Sequence, residues 1–135
     1  MKNVYEPDQE DIKEWLNEVP CKWPEASWDY YVMNGKNDEL VFNLANDINC
    51  KEQDFFIHCL YYFVGDYFNA KKKNKEKLNR INILLGKAEK STSIGIQKWL
   101  KETNKLLQDK MVFDTKYWLH FMFFETKKGD NELID

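Results

Sequence analysis

The first amphipathic segment of the chain lies between Pro7 and Pro20. Its apolar side chains recur at intervals of three and four residues, a spacing that places them on one face of an α-helix. Pro7 and Asp8 suit the first turn of a helix, and Pro20 ends it because proline has no backbone N–H to donate. The apolar face consists of Ile12, Trp15, Leu16 and Val19.

The middle of the chain predicts a second and a third helix. Asn37 or Asp38 begins the second helix. The third begins near Asn49, because Asn49 and Glu52 have the spacing of a capping box. It extends to about Asn69 and is apolar nearly all round, which is typical of a helix in the middle of a bundle. The apolar face of the second helix consists of Leu40, Val41, Leu44, Ala45 and Ile48.

The second half of the chain predicts three more helices. The lysine-rich connection Lys71–Lys77 precedes the first, Ser91–Ser93 supplies an N-cap for the second, and Asp114 caps the third. Their apolar positions are, in order, Leu78, Ile81, Leu84, Leu85 and Ala88; Ile96, Trp99, Leu100, Thr103 and Leu107; and Tyr117, Trp118, Phe121, Met122 and Phe124. Short links between helices make successive helices antiparallel.

These elements predict an all-α fold, either an antiparallel bundle or a short stack of helical hairpins, with about six helices. The chain has 135 residues and only five Gly and three Pro, which favours a helical protein over a β protein with many turns. We expect a single domain over residues 1–126 and a polar C-terminal tail over residues 127–135. Met1–Glu18 has no apolar run of signal-peptide length, and Phe55–Phe68 is too short to span a membrane. We therefore expect a cytoplasmic protein with no membrane partner.

Formal charge is divided between the two halves of the chain. Residues 1–66 carry five Lys against fourteen Asp and Glu, a formal charge of −9. Residues 67–135 carry fourteen Lys and Arg80 against nine Asp and Glu, a formal charge of +6. Net charge influences association rather than fold, so this asymmetry indicates a role in meeting a partner. We expect opposite polarity at the two ends of the helical body, with the negative end facing a cationic protein.

Acidic and aromatic side chains occur together near the start of the chain. Tyr and Trp are favoured anchors at protein interfaces, and charges at the rim of an interface steer the encounter. The alternative is that the aromatic residues belong to the core and the acids only increase solubility. The predicted partner-binding residues are Asp8, Asp11, Glu14, Glu25, Trp28, Asp29 and Tyr31.

Two other groups of residues offer alternative functions. Asp54, His58 and Asp66 share one flank of the third helix, where a carboxylate would orient an imidazole for proton transfer. We favour a structural interpretation in which His58 and Asp66 are hydrogen-bonded in the interior. Lys71–Lys77 would contact nucleic-acid phosphates, but it lacks arginine and interleaved aromatic residues, which favours a solvated loop. Two distant His and three scattered Cys show no metal-ligand spacing, so we expect no enzyme activity, metal or cofactor.

Four segments of the sequence together resemble a family of small helical bacterial proteins, the immunity partners of polymorphic or contact-dependent toxins. The segments are Trp28–Tyr31, Asn37–Leu40, Phe55–Tyr61 and Val64–Asp66, and the resemblance extends over about residues 12–118. It implies a cytosolic inhibitor that binds one cognate toxin domain and blocks its active site. The acidic surface suggests that this toxin has a basic active-site cleft.

Overall fold

The computed structural model describes residues 7–17 and 32–109, and these residues form five α-helices and no strand. The predicted all-α class is therefore confirmed for this part of the chain. The predicted last helix from Asp114 and the tail over residues 127–135 lie outside the described residues. The helices are α1 (Gln9–Asn17), α2 (Asp38–Asn46), α3 (Gln53–Asn69), α4 (Lys75–Ala88) and α5 (Ile94–Asp109).

Helix α3 lies at the centre of the described fold and contacts α2, α4 and α5. Phe55, Phe56 and Leu60 are completely buried, in agreement with the apolar character of α3 on nearly every side. Helix α1 packs on the first turn of α3 through Trp15, whose ring centroid lies 4.9 Å from that of Phe55. Burial of large apolar side chains around α3 supplies the main stabilisation of the fold. None of the described helices has the length and apolar character needed to cross a membrane.

Contacts between helix ends show that α2, α3 and α4 alternate in direction. The amide of Gln53, at the start of α3, donates a hydrogen bond to the Ala45 carbonyl near the end of α2, 2.9 Å away. Asp66, near the end of α3, pairs with Lys77 near the start of α4. Helix α5 also packs against α3, and at Gly95, near the start of α5, a Cβ atom would lie 2.6 Å from Cδ1 of Ile57.

Side chains stabilise the helix ends, and the sequence predicted some of these caps but not others. The Asn74 side chain accepts the Lys77 N–H at 3.1 Å and caps α4, and the predicted cap of α5 is confirmed at Ser93. The predicted capping box at Asn49 is wrong, because the backbone N–H of Asn49 donates to Asp47 instead. The predicted apolar position Ile48 is also wrong: it lies beyond the end of α2 and is 76% exposed.

An ion pair between Asp38 and Arg80 connects the start of α2 to α4. The guanidinium donates two hydrogen bonds to the carboxylate, from Nε to Oδ2 at 2.7 Å and from Nη2 to Oδ1 at 2.9 Å. Nη2 also donates to the Met33 carbonyl at 3.1 Å, and the guanidinium carbon lies 4.6 Å from the centroid of the Phe63 ring. Both charged side chains are mostly buried and have lost most of their hydration. The two parallel hydrogen bonds between them compensate for that loss.

Gly35 forms the turn that brings the backbone next to this ion pair. Its φ angle is +92°, a conformation that residues with a side chain rarely adopt. In this conformation its N–H donates to Oδ1 of Asp38 at 3.0 Å. The turn therefore supplies a third donor to the carboxylate that Arg80 binds.

Removing Arg80 is expected to destabilise the fold strongly. Arg80→Ala should lower the free energy of unfolding by about 3 kcal/mol, because it leaves the Asp38 carboxylate mostly buried without its cation. Asp38→Ala should cost a similar amount, and the double variant should cost less than the sum by about 1–3 kcal/mol. Urea denaturation of the four proteins measures this coupling.

The exposed pair Lys87–Glu39 provides the control. Its charged atoms are 3.7 Å apart, and the Glu39 side chain is 75% exposed. Lys87→Ala should therefore change the stability by no more than about 0.5 kcal/mol. Additive effects of Arg80→Ala and Asp38→Ala would show that the buried pair is not a coupled unit.

Candidate protein-binding surface

The predicted binding residues Asp8 and Asp11 form the start of α1. The Asp8 N–H donates to Oδ2 of Asp11 at 3.0 Å, and the Asp11 N–H donates to Oδ1 of Asp8 at 2.8 Å. This reciprocal arrangement is a capping box with Asp in the place usually taken by Glu. Asp11 is only 4% exposed as a result. This burial disagrees with the prediction of Asp11 as a surface charge, and its hydrogen bonds with Asp8 stabilise the start of α1.

The exposed acids in α1 and immediately before it are Asp8, Glu10 and Glu14. Glu10 and Glu14 are one helical turn apart, so their carboxylates lie along one stripe. Lys13 is 3.7 Å from Glu10, but both side chains are largely exposed, so solvent screens this pair. The other predicted binding residues, Glu25, Trp28, Asp29 and Tyr31, lie outside the described residues.

A cavity of about 560 Å³ lies between the start of α1 and the turn that precedes α2. The Gln9 side chain crosses one edge of it and donates to the Lys36 carbonyl at 3.3 Å. Its two acidic lining residues, Asp8 and Glu10, are exposed, and the exposed Lys36 adds a positive charge to the same lining. The full lining is Pro7, Asp8, Gln9, Glu10, Asn34, Lys36 and Asn37.

Asn37 holds the two walls of this cavity together. Its side chain is 1% exposed, and its amide donates to the Pro7 carbonyl at 2.7 Å and to the Val32 carbonyl at 3.1 Å. The sequence pattern indicated Asn37 only as a possible start of α2. Its contact with Pro7 spans 30 residues, and no local pattern in the sequence indicates it.

The opposite charges of the two halves are partly used inside the fold. Three ion pairs of the described residues join an acid of the first half to a base of the second: Asp38–Arg80, Glu39–Lys87 and Asp66–Lys77. The two halves therefore lie side by side along α2, α3 and α4, not at opposite ends. The expectation of two oppositely charged ends is corrected accordingly.

The asymmetry nevertheless persists among exposed side chains. Within residues 7–17 and 32–69, six acids and three lysines are exposed. Within residues 70–109, seven lysines and two acids are exposed. After the ion pairs between the halves, acids still outnumber lysines among the exposed side chains of the first half, and lysines outnumber acids in the second half, within the described residues.

The flank of α3 that carries Asp54, His58 and Asp66 does not form a compact site around His58 and Asp66. These two residues are eight positions apart, which is about 12 Å along a helix and too far for a hydrogen bond between their side chains. Asp66 pairs with Lys77 instead, so the predicted His58–Asp66 hydrogen bond is wrong. His58 is 8% exposed and its ring lies 5.9 Å from that of Tyr62, whereas Asp54 is exposed. None of the three flank residues lines the cavity beside α1.

Two lysines of the Lys71–Lys77 connection have structural roles. Lys73 Nζ donates to the carbonyls of Phe68 and Ala70 at 2.6 and 2.7 Å, which satisfies backbone acceptors at the end of α3. Lys77 pairs with Asp66. The other three lysines, Lys71, Lys72 and Lys75, are exposed.

Helix α5 buries two polar atoms without hydrogen bonds, Nε1 of Trp99 and Oγ1 of Thr103. Both residues are 0% exposed and lie one turn apart. A buried hydroxyl without a partner lowers stability, because it loses its hydrogen bonds to water on folding.

No cluster of three or more His, Cys, Asp or Glu in residues 7–17 and 32–109 is arranged to hold a metal ion.

No protein-family model matches the chain, and comparisons with curated proteins and with solved structures gave no match.

Asn37→Ala is expected to destabilise the fold by removing the contacts that join the two walls of the cavity. It removes the donor to two buried carbonyls, which should lower the free energy of unfolding by about 2 kcal/mol. The exposed Asn43 in α2 provides a matched control, and Asn43→Ala should change the stability by less than about 0.5 kcal/mol. Equal effects of the two substitutions in thermal denaturation would show that the Asn37 contacts do not stabilise this site.

Thr103→Val is expected to stabilise the protein by about 1 kcal/mol. Valine has nearly the shape of threonine and replaces the unpaired hydroxyl with a methyl group. Thr92, which is exposed before α5, gives the control Thr92→Val, for which we expect no gain. Guanidinium denaturation measures both variants, and a loss of stability in Thr103→Val would show that the hydroxyl has a partner in solution.

Proposed function

We propose that the protein is a non-enzymatic cytoplasmic binding protein of the immunity type, a bundle of about six helices that neutralises a cognate toxin domain. The observation that supports this proposal is the exposed acidic stripe of Glu10 and Glu14 on α1, next to a cavity of about 560 Å³ that Glu10 also lines. Exposed acids on α1 suit contact with a cationic surface of another protein. The choice of a toxin as the partner rests on the four segments that resemble the toxin-immunity family.

Blocking a basic active-site cleft requires no catalytic group on this chain. The acids steer the cationic toxin to α1, and the docked protein then excludes substrate from the cleft. Asp8 and Asp11 contribute by holding the start of α1 in a fixed position, which keeps Glu10 beside the cavity. The proposed division of roles is therefore steering by Glu10 and Glu14 and positioning by Asp8 and Asp11.

The test begins with the neighbouring genes, one of which the proposal expects to encode a secreted protein with a toxic C-terminal domain. We expect this domain to be toxic when expressed alone and harmless when expressed with the native chain. Stopped-flow association of the two purified proteins should slow by about tenfold in Glu10→Lys/Glu14→Lys, because steering is lost. The same rate should fall steeply for the native chain as salt rises, because the salt screens the charges.

A matched reversal of two acids outside α1 provides the control. Glu76 and Glu89 are exposed in the second half of the chain, and Glu76→Lys/Glu89→Lys changes the net charge by the same amount. Association should then slow by less than twofold. If the native chain failed to protect against the neighbouring domain, the proposed function would be contradicted. If association slowed equally in the two double variants, the assigned surface would be wrong.

A further inference from the structure

One face of α5 carries only lysine and amide side chains. At 3.6 residues per turn, Lys98, Lys101, Asn104, Lys105 and Gln108 fall within an arc of about 120° around the helix axis. Lys101, Lys105 and Gln108 are exposed, and the other two residues are half-buried. From Lys98 to Gln108 the face extends about 15 Å along the axis. These five residues are called the α5 lysine face.

Acids do not balance the charge of this face. The ammonium groups of Lys101 and Lys105 form no ion pair or hydrogen bond within the described part of the chain. The one acid of α5 whose side chain the structure describes is Glu102, which is 7% exposed and lies outside the arc. The face therefore presents positive charge with no carboxylate within it.

The spacing of the two exposed lysines is unfavourable for the helix itself. Lys101 and Lys105 are four residues apart, and like charges at this spacing destabilise a helix slightly. In α1, by contrast, Lys13 has Glu10 one turn away as a partner. A local arrangement that costs stability without a compensating contact inside the fold is expected at functional sites. The compensation for the α5 lysine face would then come from an anionic partner.

The core holds α5 in a fixed position behind this face. Ile96 and Trp99 are 0% exposed, and the Ser93 side chain caps the start of the helix. Gly95 allows the first turn to lie directly against Ile57 of α3. The lysines are thus carried by a rigid helix and not by a loop, which lowers the entropic cost of presenting them together to a partner.

We propose that α5 binds double-stranded DNA by placing its lysine face in the major groove. Lysine ammonium groups bind phosphate oxygens, and Asn and Gln amides are suited to the major-groove edge of adenine. The major groove of B-DNA is about 12 Å wide and admits an α-helix, whereas that of A-form RNA is too narrow. An anionic membrane is a poorer partner, because the face has no apolar side chain to insert.

This binding is weak and dependent on salt. If the three lysines each neutralise one phosphate, the logarithm of the association constant should fall against the logarithm of salt concentration with a slope of about −2.7. The affinity should then decrease roughly 40-fold between about 50 and about 200 mM salt. The proposed toxin contact uses α1, so the two activities involve different helices.

Fluorescence anisotropy of a labelled DNA duplex titrated with the full chain tests the proposal. At about 50 mM salt, Lys101→Ala/Lys105→Ala should weaken binding about tenfold and reduce the slope to about −0.9, the value for one remaining phosphate contact. The control Lys71→Ala/Lys72→Ala removes the same charge from another exposed segment and should weaken binding less than threefold. Circular dichroism should show the native helix content in both variants, because all four side chains are exposed.

Competition distinguishes the DNA groove from other anionic surfaces. Double-stranded RNA of the same sequence should compete at least about fivefold less well than DNA, because its major groove excludes the helix. Phosphatidylserine vesicles should not displace the duplex. An unchanged anisotropy at low salt, equal losses in the two variants, equal competition by RNA, or displacement by vesicles would each overturn the proposal. The proposed toxin binding would stand in all four cases, since it is measured separately through α1.

Discussion

The ion pair between Asp38 and Arg80 is the interaction on which the geometry around the cavity depends. It fixes α2 against α4, and through the Met33 carbonyl and the Gly35 N–H it also fixes the turn that precedes α2. That turn forms one wall of the cavity, whose other wall is α1. The position of the acidic stripe relative to the rest of the molecule therefore depends on a charged contact between residues 42 positions apart.

The division of charge along the chain has two consequences in the folded protein. Some of it is used internally, because α4 supplies a cation to Asp38, Glu39 and Asp66. The remainder stays on the surface, where exposed acids outnumber exposed lysines in the described residues of the first half and exposed lysines outnumber exposed acids in those of the second. The same excess charge that assembles the two halves thus supports the proposed toxin binding.

Local patterns predicted the helices well and their contacts poorly. The apolar side chains of α3 indicated its central position, and α4 and α5 follow from periodic apolar residues and, for α5, from the cap at Ser93. The capping box at Asn49 failed because Asp47 offers its N–H a nearer carboxylate. The cavity was beyond prediction, since Asn37 and Pro7 meet only after α1 and α2 have packed. Asp11 shows the same limit, because composition does not distinguish a capping acid from a surface acid.

The exposed lysines between α3 and α4 have a consequence for the integrity of the chain. Lys71 and Lys72 lie in a segment without regular secondary structure, where a trypsin-like protease finds its preferred residues. Cleavage there would give two fragments of opposite net charge. These fragments would stay joined by the buried ion pair Asp38–Arg80 and by the contacts of α3 with α4 and α5. The nicked protein would remain one particle, and the two fragments, produced separately, are natural halves for a complementation assay.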